Sequence, residues 1–418
     1  MAAAMPEPKD DPFYKYDMPL ENIDAGTVLN HRRINYYIGG VPTPFKATQL
    51  LYRSTSQTHK PTINVTSVIP PPIKPNKPKV ISYQSAYDSL SRSDEPSYSI
   101  SGGKRLSGLV ASVELVVFSR FLADGYTVIV PDTEGQRADF AAGPEYGMNT
   151  LDSIRAAFSK KSTLDLPDDT KVAMLGYSGG AIATEWAAEL APTYAPDVNA
   201  RMIGAAMGGL LVDPAHNLHY IEGTWFWAGV MPMALVGIAR AFEKDFTSYL
   251  TPTGVTVFNE MQTTSIVDVL GRYKGLTWQK LVRPKYPTPE RLPLYVSCAN
   301  KLIMGTGGTP TIPLFIGQGA NGELEGTPGN KKGIRAGDGV MIAGDVRTLA
   351  RNYCAKGTKV YYEQYKALSH ITSVAIWLPN SIAWIKERFA DLPAPQNCSS
   401  IRPGNPLEPI PIPSPQIL

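Results

Sequence analysis

The chain predicts an α/β fold: a mostly parallel central sheet flanked by helices, with a helical block inserted late. Three observations carry this. Strand-like and helix-like stretches alternate across residues 79–191, the rhythm of a parallel sheet with covering helices. A G-x-S-x-G sequence, Gly176-Tyr177-Ser178-Gly179-Gly180, joins a short apolar strand to a stretch rich in helix formers. The alternation then breaks down across 214–303 and resumes before a late strand followed by His370.

Length and charge narrow the classes. A chain of 418 residues can bury a large core and reads as two or three domains. Forty basic against thirty-seven acidic residues leave a net charge of +3, too near balance to argue for nucleic acid or a strongly charged membrane surface. No apolar run approaches the roughly 18 residues of a membrane span. The start, MAAAMPEPKDDPF, lacks the basic and apolar regions of a signal peptide. The expectation is either an intracellular protein or a mature form. Cys298, Cys354 and Cys398 are an odd set, and Asn64 and Asn397 head N-glycosylation sequons.

In chain order, residues 1–25 are polar and Pro-rich and read as an arm over the body. Early strands are expected between Thr27 and Tyr52, and the alternation in Ile63 to Ile69 reads as another. Five prolines between Pro70 and Pro78 leave only an extended connection. Lys79 to Gln84 is a short apolar strand, and the loop after it carries Asp88. Leu109, Val113, Val116, Val117 and Leu122 recur at helical spacing within Ser107 to Asp124, with Gly125 where a C-cap belongs. Tyr126 to Val130 is a strand and Gly147 to Phe158 a helix. The strand from Val172 leads into the Ser178 turn, and Ala181 to Ala191 is the helix after it; Met202 to Gly208 is the next strand.

Residues 214–303 hold an aromatic cluster, Trp225, Phe226 and Trp227, and helical pieces at Met231 to Phe242, Val267 to Tyr273 and Trp278 to Val282. A helical block after a core strand forms a cap over a site. Trp225, Phe226, Trp227, Met231 and Met233 could line a tunnel there or fill the cap's own core, and the second reading is slightly preferred. Pro313 to Gly317 resumes the sheet, Gln318 to Gly337 is a Gly-rich loop, and Gly339 to Tyr353 is a helix. Val360 to Tyr365 is the last strand; His370 follows in a loop, and Ile371 to Phe389 is a helix interrupted near Pro379. The expected division is therefore core over 1–213 and 304–391, an inserted cap over 214–303, and a Pro-rich tail over 392–418.

A serine on a tight strand-to-helix turn projects its hydroxyl above the sheet, close to the free N–H groups of the helix. The hydroxyl is a weak nucleophile at neutral pH and needs a base, which in turn needs an acid to orient it. In the α/β-hydrolase fold the chain order is serine, acid, histidine. His31 and His59 precede the turn, and His216 and His219 open the cap segment. His370, after the last strand, is therefore the expected base. Asp338 is the expected acid, although it could merely cap the next helix; Asp345 is held in reserve, and Glu323 and Glu325 are outside choices.

Several stretches resemble the Candida antarctica lipase A family of secreted fungal and bacterial lipases. They include Asp11-Pro12-Phe13-Tyr14, Ser82-Tyr83-Gln84, Pro96-Ser97-Tyr98-Ser99, Gly125-Tyr126 and Glu134-Gly135. They continue with the run from Gly176 to Asn199, Cys354-Ala355-Lys356-Gly357 and His370. The resemblance is specific around the turn and weak across 216–310. It implies an α/β-hydrolase with nucleophile Ser178, acid Asp338 and base His370, and an oxyanion hole from the backbone N–H groups of Gly179 and Asp88. Family members reach the acid soon after the strand, whereas Gly319 to Gly337 intervenes here as an insertion. The resemblance also implies a Cys354–Cys398 disulfide, an unpaired Cys298 and an oxidising, secreted setting.

The expected function is thus serine carboxylic-ester hydrolysis, of lipase or esterase type, without metal or organic cofactor. The expected partner is an ester, lipid or acylated small molecule, with transient contact to a lipid interface and no nucleic acid. Removal of an acyl group from a secondary metabolite, acyl transfer to another alcohol, or a catalytically dead binding protein are the alternatives.

Overall fold

Strands β1 (Val28–Ile38), β2 (Val41–Thr55) and β3 (Pro61–Ile69) open the chain as an antiparallel meander. They continue into a parallel array of β4 (Lys79–Gln84), β5 (Tyr126–Pro131), β6 (Val172–Tyr177), β7 (Met202–Gly208), β8 (Leu314–Gly319) and β9 (Val360–Tyr365). In the computed structural model, which describes residues 5–413, these form one sheet in the order β1-β2-β3-β5-β4-β6-β7-β8-β9. Only β3–β5 joins the two halves antiparallel. The outermost residues of the N-terminal arm and of the Pro-rich tail lie outside the described residues.

Alternation along the strands divides the core in two. Val80, Ile129, Val172, Met174 and Met207 face helices α2 (Gly143–Phe158) and α3 (Gly179–Tyr194). Ile81, Val128, Ala173, Leu175 and Phe315 face α1 (Leu115–Ala123) and a long helix near the C-terminus. Both faces are covered, so the parallel strands read as near-continuous apolar runs.

Between β7 and β8 lie the helices α4 (Pro214–Ile221), α5 (Val230–Ala241), α6 (Pro252–Met261) and α7 (Pro293–Ala299), with single turns at Ile266–Val269 and Trp278–Leu281. Asp213 caps α4, its Oδ1 accepting from Ala215 and His216 N–H at 2.9 and 3.3 Å. Met231 and Met233 of α5 are buried in the packing of this block, as expected.

Several elements differ from their sequence reading. The helix expected from 339 begins at Ala343, as α8 (Ala343–Ala355). His370 is not in a loop: it opens α9 (His370–Phe389), whose N-cap is Ser369. Pro379 does not interrupt that helix. It lies on the exposed side, so the carbonyl it frees, on exposed Ala375, faces water. The expected 267–273 helix shrinks to one turn.

Cys354, at the end of α8, is bonded to Cys398, and Cys298 is free and buried. The tail then runs along α8: Thr348 Oγ1 donates to Asn405 O at 2.6 Å and Arg351 to Ile401 O at 2.7 Å. Both sequon asparagines are engaged inside the fold. Asn64 is fully buried and donates to Tyr52 and Asp132 O, while the Asn397 amide pairs with both main-chain groups of Tyr362. No helix among the described residues is long and apolar enough to cross a membrane.

Candidate active site

The turn from β6 into α3 holds Ser178 at φ 54° and ψ −121°, a conformation that costs an L-residue of order 1–3 kcal/mol. Neighbouring contacts impose it. Ser178 N–H donates to Gly208 O at 2.8 Å. A Cβ on Gly176 would lie 2.2 Å from the Gly180 carbonyl oxygen, and one on Gly180 would lie 2.1 Å from that of Gln84. Only glycine allows strand, turn and helix to pack this closely.

The described side chains bring Ser178, His370 and Asp338 into one hydrogen-bonded line. His370 Nε2 lies 2.8 Å from Ser178 Oγ, and Nδ1 lies 2.8 Å from Asp338 Oδ2. The same Asp338 oxygen accepts from Gln318 Nε2 at 2.8 Å, while Oδ1 accepts from Val340 and Met341 N–H at 3.1 and 2.7 Å. Asp338 does not cap α8; it folds its own loop into a tight turn. His370 N–H donates to Asp338 O at 2.7 Å, and Tyr177 hydroxyl donates to His370 O at 2.6 Å. Burial disfavours the charged imidazole, but Asp338, with smaller contributions from Glu325 and Asp88, raises the His370 pKa above its ordinary value.

The reserve acid goes elsewhere. Asp345 Oδ2 lies 3.0 Å from His216 Nδ1, and Oδ1 accepts from Asn405. His219 pairs with Glu290 and Glu222, whose hydrogen bonds push it up to about 9. His31 and His59 are exposed. Among the described residues no three His, Cys, Asp or Glu side chains are grouped to hold a metal ion.

Gly179 is the first residue of α3, so its N–H has no acceptor within the helix. Asp88 sits against it: a Cβ on Gly179 would lie 1.6 Å from Asp88 Oδ1. Asp88 adopts φ 30° in a loop pinned from both sides. Its carbonyl accepts from Ile266 N–H at 2.8 Å, and the Ser89 N–H next to it donates to buried Glu134 at 3.1 Å. Burial pushes the Asp88 carboxyl up to about 7, against the pull of His370.

From Ser178 a narrow apolar channel of about 50 Å³ runs beneath the helices between β7 and β8. Ile182, Leu218, Ile221, Leu235 and Ile238 are among its walls. Trp227 lines it too, and packs edge-to-face on His370 at 5.5 Å. The aromatic cluster therefore splits: Trp227 is a channel residue, whereas Trp225 is 49 % exposed. Gln318 carries no sequence signal that would have assigned it to the site, and Glu325, an outside choice for the acid, instead accepts from Ile371 N–H and the Trp227 indole.

The model of the secretory lipase family matches residues 101–397. Lipase 5 of Candida albicans is 30 % identical over 98 % of this chain and 86 % of its own. The trichothecene C-3 esterase of Fusarium sporotrichioides is 30 % identical, over 94 % of this chain and 86 % of its own. The X-ray structure of Candida antarctica lipase A in its closed state superimposes with a TM-score of 0.82 at 27 % identity, covering 98 % of this chain and 92 % of the other.

Proposed function

The chain belongs to the secretory lipase family and is a carboxylic-ester hydrolase of the α/β-hydrolase fold; on that premise we propose that it works through an acyl-enzyme on Ser178. Ser178 Oγ bonds to the acyl carbon as its proton passes to His370 Nε2. Asp338 holds the ring in the required tautomer and stabilises its cation. The carbonyl electron pair moves to oxygen, which the N–H groups of Gly179 and Asp88 receive. Collapse breaks the bond to the alcohol, which leaves with the proton from His370. A water molecule then adds in the same way and restores Ser178.

The observation that supports this best is the Ser178–His370–Asp338 line at the mouth of an apolar channel. The segment 214–303 acts as the cap that shapes the channel, on the core formed by 1–213 and 304–391. Secretion is part of the proposal, supported by the family and by the Cys354–Cys398 bond.

A second substrate class, an acylated small molecule, is supported by the trichothecene C-3 esterase relative. p-Nitrophenyl esters from acetate to palmitate separate the two. A lipase-type enzyme gives highest kcat/KM on medium or long chains and acts on emulsified triglyceride; a deacylase of small molecules prefers acetate. Ser178→Ala is expected to lose at least about 10⁴-fold on every ester.

A further inference from the structure

The segment between β8 and Asp338 reaches into the site. Its single turn, Gly322–Glu325, is tied down by Gly322 N–H to Gly337 O at 2.8 Å and by Asn321 N–H to Leu368 O at 3.0 Å. This places the Glu325 carboxylate, 7 % exposed, between two groups. Oε1 accepts the Ile371 main-chain N–H at 2.8 Å, one residue past His370. Oε2 accepts the Trp227 indole N–H at 2.8 Å, and Trp227 in turn packs on the His370 ring.

His370 is the first residue of α9, at the positive end of the helix. A cation there is disfavoured, yet the proposed mechanism requires His370 to become one. We propose that Glu325 is a positioning residue for His370: it neutralises the N-terminus of α9 and locks Trp227 between the imidazole and the channel. This rests on the assignment of His370 as the base. The groups facing the ring are the carboxyls of Asp338, Asp88 and Glu325, the Ser178 hydroxyl, and the rings of Tyr177 and Trp227. With Glu325 lost, the negative charge that favours the imidazolium is reduced.

The same segment offers a control. Lys331 Nζ donates to the carbonyls of His219, Tyr220 and Glu222, at 2.6, 2.9 and 2.9 Å, closing the end of α4. Lys331→Met removes that anchor and leaves the His370 surroundings intact.

The experiment titrates His370 by NMR and measures kcat/KM against pH for wild type, Glu325→Gln and Lys331→Met. Glu325→Gln is expected to move the His370 titration and the acid limb of the profile towards lower pH by on the order of one unit. Its pH-independent kcat/KM is expected to fall about tenfold, and Lys331→Met to leave the titration in place. A titration unmoved in Glu325→Gln, or moved as far by Lys331→Met, overturns the proposal and leaves Glu325 a staple of the loop. The NMR titration does not depend on turnover, so a wrong acyl-enzyme mechanism would show separately, as a Ser178→Ala variant as active as wild type.

Discussion

At the scale of single residues, Asp88 carries a consequence for pH. Its carboxyl, pushed up to about 7 by burial, is neutral in mild acid and lies against the Cα of Gly179. On the proposed mechanism, its ionisation brings negative charge close to the oxyanion and opposes it. His370 must be neutral to act as base, and its raised pKa sets the acid limb above that of a free imidazole. The expected kcat/KM profile is therefore a narrow bell, falling below the His370 value and again above about 7. Asp88→Asn keeps the main-chain N–H and removes the charge. It is expected to hold activity further into the alkaline range and leave the acid limb closer to that of a free imidazole. A pH–rate series on both proteins measures this. Ser178 and His370 were legible because strand-turn-helix context and chain order constrain them. Asp338 was picked by position, and the fold sets its Oδ2 2.8 Å from His370 Nδ1; its alternative reading as a helix cap failed because the start of α8 at Ala343 depends on the turn that Asp338 builds for itself. Glu325 was legible only as a stray carboxylate: its partners, Ile371 and Trp227, come from distant elements that only the folded chain assembles.

Among the elements, the disulfide encloses β9 and α9, the unit that carries His370. Cys354 and Cys398 are separated by 44 residues, with the tail beyond laid against α8. Closing such a loop limits the unfolded chain and is worth up to about 4 kcal/mol. Replacing both cysteines by serine is expected to lower the unfolding free energy by about 2–4 kcal/mol in a denaturant titration, with ester hydrolysis at room temperature retained. The strands and most helices between 79 and 208 were readable because short apolar runs alternate there with stretches of period 3.6. Elements failed where local signals conflict. Pro379 would stop an isolated helix, yet packing of Trp377, Trp384 and Ile385 against the sheet carries α9 through it. Across 214–303, outside the helix read at Met231 to Phe242, the pieces are too short to show a period.

For the whole molecule, the parallel sheet was legible from alternation, but its strand order was not. The β5-β4-β6 reversal is set by long-range pairing that no local pattern records. That order has the functional effect. It sets the loop after β4, the turn after β6 and the loops after β8 and β9 at one end of the sheet, which is how Asp88, Ser178, Asp338 and His370 meet although 282 residues separate the first from the last. On the proposed mechanism this convergence makes Ser178 the single nucleophile. The direct measurement is intact-protein and peptide mass spectrometry after exposure to a fluorophosphonate, on wild type, His370→Ala and Ser178→Ala. The expected result is one adduct per wild-type molecule, on the peptide containing Ser178, formed far more slowly in His370→Ala and absent in Ser178→Ala. An unlabelled wild type with measurable ester hydrolysis, or an adduct on another residue, would contradict it.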